Sequence, residues 1–344
     1  MSTVDAGQAV PGTEAEPAGE TEPRPAPRPV PEAASEPAPG RTREPAPGTT
    51  AGSVTGRVPA SAGVGTARAV GAPRAWLRLL GSELGLIFRR PRNLAMLAVL
   101  AAIPVLFGVA LRTFGGPGEG EGPGIFGQVT GNGMFLAFAS LFLLVQLLLP
   151  VVVAIVAGDA IAGEAGIGTL RYLLTAPAGR SRLLAVKYTG VAVFCLAAVG
   201  VVALAALLSG LVLFPVGPIT LLSGGTIPFL DGLLRIGVVV LYVAAGMAAL
   251  AAVALALSTL TEVSIGAIAG TVVIVIVAQV LGSLPQLAVI RPYLLTDWWD
   301  GFDAVLRDPV ATGDLGRGLL VFAVYAVVFG SVAWARFTGK DITA

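Results

Sequence analysis

Residues 188–230 contain no charged side chain, and residues 134–157 are equally free of charge. A bilayer core is crossed by about 20 apolar residues in an α-helix, so each stretch is long enough to span one. Between them, residues 158–187 carry Asp159, Glu164, Arg171, Arg180, Arg182 and Lys187. A charge at the middle of a span costs about 2.5–3.5 kcal/mol, so this segment is expected to face water between two spans. Four further apolar runs complete a set of six expected spans: 94–111, 134–157, 188–214, 233–257, 263–284 and 318–335. The chain has 344 residues, of which 12% are charged, about half the share usual in a soluble domain. The expected fold class is an all-α integral membrane protein.

Residues 1–73 are of another kind. They hold 13 of the 25 prolines, eight acids and six arginines, and no aromatic residue. Such a segment cannot bury a core and is expected to be a disordered tail. It also lacks the charged-then-apolar order of a signal peptide. At 74–93 the character changes. Trp76, Leu80, Leu84 and Ile87 recur at helical spacing, with Arg78, Arg89, Arg90 and Arg92 among them. This pattern predicts an amphipathic helix lying in the membrane interface, ended by Pro91. Pro104 is expected to kink the first span.

The connections also carry signals. The segment 258–262 is so short that the fourth and fifth spans should form a tight hairpin. The connection 285–317 is the longest. Its run Trp298, Phe302, Val305 and Leu306 predicts a short helix in the interface. Six spans put both termini on one side. Arg74, Arg78, Arg89, Arg90, Arg92, Arg171, Arg180, Arg182, Lys187, Arg336 and Lys340 fall on the side of the termini, against Arg112, Arg235, Arg291, Arg307 and Arg317 on the other. The positive-inside rule then makes the termini and 158–187 cytoplasmic, in a multi-pass protein of the cell membrane.

Several chemistries are excluded or disfavoured. The chain has no His, which removes the commonest general base and metal ligand. It has no phosphate-binding Gly-x-x-x-x-Gly-Lys-Ser/Thr loop, so ATP hydrolysis by this chain is not expected, nor is any catalytic, cofactor-binding or metal-binding residue. A net charge of +1 implies no nucleic-acid partner. The lone Cys195 lies within an apolar run and reads as packing. The expected spans hold almost no ionisable residue, which argues against a proton-coupled carrier. Gln146, Gln279, Tyr242, Ser209 and Tyr325 are polar groups at depth within them. They are expected mainly to hydrogen-bond between helices; the alternative is that Gln146, Gln279 and Tyr242 line a substrate route.

The charged connection is then the place for an external energy source to act. Ile161, Leu170, Leu173 and Leu174 form one apolar face of a short helix, while Glu164 and Arg171 point elsewhere. Glycines 163, 166 and 168 permit a sharp entry, and Pro177 and Gly179 end the helix. Glu164, Gly168, Thr169, Leu170, Leu173, Leu174, Pro177, Arg180 and Lys187 resemble the signature of the permease subunits of ABC-2-type ABC transporters. The resemblance extends over roughly 75–344 in the order of its helices and loops.

That resemblance implies a coupling helix after the second span, docking on a separate cytoplasmic ABC ATPase that binds the ATP. It also implies a second permease protomer, identical or different, in the same bilayer. The coupling residues it designates are Glu164, Gly168, Thr169, Leu170, Arg171, Leu173, Leu174, Pro177 and Arg180. The expected function is export of a lipophilic or amphiphilic cargo. The alternatives are a non-transporting scaffold or maturation factor working with an ATPase, and a secondary transporter that needs none.

Overall fold

A backbone in hydrocarbon has no water to satisfy its N–H and C=O groups, so long apolar runs close their hydrogen bonds internally as helices. The computed structural model follows this rule. It describes residues 72–114, 129, 131–166, 179–217, 219–220 and 225–339. The expected disorder of residues 1–73 concerns a segment outside them, apart from Ala72 and Pro73. The helices are α1 (Ala72–Arg89), α2 (Pro91–Phe114), α3 (Phe135–Val145), α4 (Leu148–Gly166), α5 (Arg180–Leu213), α6 (Phe229–Leu260), α7 (Ser264–Ser283) and α8 (Thr312–Gly339). A two-residue antiparallel ladder, β1 (Ile219–Thr220) with β2 (Thr226–Ile227), joins α5 to α6.

Five helices, α2, α5, α6, α7 and α8, are long and apolar enough to cross a membrane. The pair α3–α4 passes the same test together, but bent by 57°. The expectation of one straight helix over 134–157 is therefore corrected: the helix breaks at Gln146 and Leu147. Pro150 is the physical reason. It has no N–H to give to the carbonyl four residues earlier, and its ring crowds that carbonyl. That carbonyl belongs to Gln146, and the Gln279 side chain on α7 supplies the missing donor. Pro104 lies buried inside α2.

Helix α6 runs through the centre and packs against α4, α5, α7 and α8. Its buried face is rich in alanine, including Ala249, Ala251, Ala252, Ala254 and Ala256, which lets neighbouring helices approach closely. Gly133, just before α3, and Gly210 of α5 touch backbone to backbone; a Cβ on either would strike the carbonyl of the other. The outer faces of α2, α7 and α8 expose Leu106, Val109, Ile265, Val273, Leu320 and Val327. Contiguous apolar surface of this extent is suited to lipid, not to water.

The long connection was expected to hold a short helix along Trp298, Phe302, Val305 and Leu306; its helical segments there are 3₁₀. It folds as four 3₁₀ turns, Pro285–Leu287, Arg291–Tyr293, Leu295–Trp298 and Gly301–Leu306. Trp299, Phe302, Val305 and Leu306 are buried in the main core. The apolar positions thus turn inward on the bundle, where Gly246 leaves room for Trp299 beside Phe322. Three side chains hold the connection by its backbone. Tyr242 donates to the Trp298 carbonyl at 2.9 Å, Tyr325 to that of Tyr293 at 3.0 Å, and Arg235 to those of Val305 and Arg307.

Candidate functional site

The chain concentrates its buried charge at the other end of the bundle. α1 ends at Arg89 and α2 begins at Pro91, which needs no backbone N–H as the first residue of a helix. Asn93 stabilises this elbow by donating its side-chain amide to the Ile87 carbonyl at 2.9 Å. The elbow brings Glu83, Arg90 and Arg92 against the ends of α4 and α5.

Lys187 is the centre of the site. Its side chain is 2% exposed and donates to Glu164 at 2.6 Å and to Glu83 at 3.1 Å. One ammonium therefore joins α1, α4 and α5. A turn earlier on α4, Asp159 accepts from Arg90 at 2.9 Å, from Arg92 at 2.8 Å and from the Ser264 hydroxyl at 2.7 Å. Asp159 thus ties the elbow to the start of α7. The three acids and three bases balance, and they line one small cleft between α1, α2, α4 and α5. Such complete pairing is what buried charge requires, because an uncompensated partner would bear the whole desolvation cost.

Ser258 adds a lock from α6. Its hydroxyl donates to the Gly158 carbonyl at 2.7 Å and accepts the N–H of Ala162 at 2.9 Å and of Ile161 at 3.2 Å. Gly158 and Ala162 are four apart, so the hydroxyl is inserted into the ladder of α4 itself, an insertion of the kind that bends helices.

The helices extend further into the charged connection than the hydropathy pattern indicated. α4 continues to Gly166, and α5 already starts at Arg180 with Gly179 as its N-cap. Ile161 is buried within α4, and Gly179 opens α5. Of the designated coupling residues, Glu164 and Arg180 are placed. Glu164 pairs with Lys187, and Arg180 donates to the Thr338 carbonyl at the end of α8 at 3.0 Å. Gly168, Thr169, Leu170, Arg171, Leu173, Leu174 and Pro177 lie outside the described residues.

Gln146, Gln279 and Tyr242 lie at the opposite end. Gln146 donates to Asp300 at 2.6 Å, Gln279 donates to the Gln146 carbonyl, and Tyr242 holds the long connection. The Ser209 hydroxyl bonds back to Ala205 of its own helix at 2.7 Å. Sequence reasoning passed over Glu83, Ser258, Ser264 and Asp300 as site residues. Glu83 carried a signal, being the sole acid in residues 72–93; a serine within an apolar helix carried none. Among the described residues, no three His, Cys, Asp or Glu side chains converge as a metal site.

Residues 121–343 match the family described as Protein of unknown function (DUF2705). The chain belongs to this family. The DUF2705 match takes in α3 to α8 and hence Asp159, Glu164, Lys187, Ser258 and Ser264. Glu83, Arg90 and Arg92 lie before it, so the junction joins DUF2705 residues to the preceding elbow. No curated protein matches the chain.

Proposed function

We propose that the chain is the membrane-spanning permease subunit of an ATP-driven ABC transporter of the ABC-2 type, exporting a lipophilic or amphiphilic cargo. A separate ABC ATPase docks on residues 163–177 from the cytoplasm. Two permease protomers form the pathway, and both termini lie on the ATPase side. The chain hydrolyses no ATP itself and receives work through the connection between α4 and α5.

The observation that carries this reading is the bridge from Lys187 to Glu83 and Glu164. α4 ends at Gly166, two residues after Glu164, and α5 starts at Arg180, seven residues before Lys187. A push on the segment between these ends reaches three helices together, because one buried ammonium joins them. A plain surface loop has no need of a buried lysine at its root. α1, amphipathic and tied through Glu83, is the interfacial helix that moves with the junction.

The test is retention of the ATPase encoded nearest to this gene, co-expressed and purified with the chain in detergent. Wild type is expected to retain it. Leu170→Asp places a charge in an apolar contact and should cost several kcal/mol of docking, about 4 or more on transfer scales, so the ATPase is lost while the permease stays folded. Glu164→Ala should weaken retention less. Unchanged association in both variants overturns the docking role. ATP-driven uptake into inverted vesicles then separates an exporter from a scaffold.

A further inference from the structure

α1 turns its apolar side to the bundle. Ile87 packs against the main core, and a Cβ on Gly190 of α5 would meet Ile87 and Glu83 within 4 Å. The opposite side stays open. Arg78, Ser82, Gly85 and Arg89 follow one another at spacings of four, three and four, so they share one helix face. Leu77 and Leu86 flank that face and are 60% and 52% exposed. Gly81, Ser82 and Gly85 line one groove with Arg89, Arg90 and Pro91 of the elbow. A Cβ on Gly81 or Gly85 would meet nothing within 4 Å.

This groove has positive charge in its own walls. Arg78 and Arg89 are exposed, and among the described residues no acid pairs with either. Arg90 and Arg92 share the single carboxylate of Asp159, which leaves one positive charge over. Arg90 gives one nitrogen to Asp159 and is 47% exposed; a guanidinium has further N–H groups to donate. The sole acid of α1 is Glu83, and Lys187 engages it at 3.1 Å. The Ser82 hydroxyl is spent on the Leu79 carbonyl at 2.8 Å, so the arginines are the donors the groove offers.

We infer that this face of α1 and the elbow bind an anionic phospholipid of the adjoining leaflet, with its phosphate at Arg89 and Arg90 and its glycerol and upper acyl groups against Leu86. α1 leads through Pro91 straight into α2, a helix of membrane length, so the elbow lies where the chain enters the bilayer. A soluble anion would use the arginines and leave the exposed leucines in water. A phospholipid engages both, as a basic amphipathic helix does at a membrane surface. A zwitterionic lipid has the same phosphate but adds a cation, which the unpaired arginines disfavour. The inference depends on neither transport nor an ATPase, and its test uses neither.

The full chain in detergent is titrated with phosphatidylglycerol or with phosphatidylcholine of the same acyl chains, and native mass spectrometry counts the lipid retained. Wild type is expected to bind the first phosphatidylglycerol about fivefold or more tightly than the first phosphatidylcholine, the effect of one basic residue at an anionic lipid surface. Arg78→Gln with Arg89→Gln should remove that preference. Gly85→Glu puts an acid into the groove where there is room for it, and should remove the preference while leaving phosphatidylcholine binding unchanged. Neither variant breaks a pairing, so unfolding without added lipid should match wild type. Equal binding of the two lipids in wild type overturns the site, as does a preference that survives either variant. Displacement of phosphatidylglycerol by excess inorganic phosphate would assign the groove to a soluble anion and overturn the lipid.

Discussion

The two ends of the bundle are held by different chemistry. At the junction, Lys187, Glu83, Glu164, Asp159, Arg90 and Arg92 pair side chain to side chain through charge. At the capped end, Tyr242, Tyr325, Arg235 and Gln279 donate to backbone carbonyls, and Trp299 and Phe302 fill the space beneath. A carbonyl held by a side chain fixes the path of a connection and offers no alternative partner. Ion pairs can be exchanged, because one carboxylate can leave an ammonium for another base. The capped end is thus a seal held largely through backbone carbonyls, and the junction a joint held largely through paired charges.

The largest expected effect breaks the joint. Lys187→Met removes the buried ammonium that joins Glu83 and Glu164, and it should destabilise the protein by about 3–5 kcal/mol. Thermal unfolding in detergent measures this. Adding Glu83→Gln and Glu164→Gln to the same chain should restore most of the loss; a triple variant no better than Lys187→Met would show that the charges are not what matters. At the other end, Gln279→Leu orphans the Gln146 carbonyl at the break between α3 and α4. The cost of one unsatisfied buried acceptor is about 1–3 kcal/mol. A loss as large as that of Lys187→Met would erase the contrast between joint and seal.

The smallest effect concerns Asp300, the one carboxylate of the seal that bonds a glutamine of the broken helix. Burial pushes its carboxyl up to about 6 from an ordinary 3.8, and Asp303 and Asp297 add to this; the hydrogen bond from Gln146 opposes it. The docked carboxyl holds its proton more tightly than the undocked one. Its contribution to docking is full below about pH 4, falls as the pH rises to about 6, and is level above that. Backbone hydrogen exchange in residues 285–311, corrected for intrinsic rates, should show more protection at pH 4.5 than at pH 7. Asp300→Asn should flatten that difference. An unchanged pH response in the variant would assign the effect to another group.

The difference between the ends also explains what could be read in advance. Membrane-length helices were legible because hydropathy is local: α2, α5, α6, α7 and α8 each announce themselves by uncharged runs. The tight turn between α6 and α7 followed from its few residues. The break at Gln146 was half legible, since Pro150 stands in the sequence, but its satisfaction by Gln279 from 133 residues away was not. The inward turn of Trp299 and Phe302 was missed because aromatic residues near span ends serve an interface and a core equally well. Lys187 was legible as a charge at the root of an apolar run, but its pairing with Glu83 and Glu164 was not.

By itself, then, the sequence determined which segments avoid water and where the charge collects, because those properties belong to each residue and its near neighbours. The tertiary structure alone decided which acid faces which base, which donor repairs the carbonyl that Pro150 leaves open, and on which side the long connection lies. Those pairings join residues far apart in the chain. They exist only once packing has brought the helices together and removed the water that would otherwise satisfy each group separately.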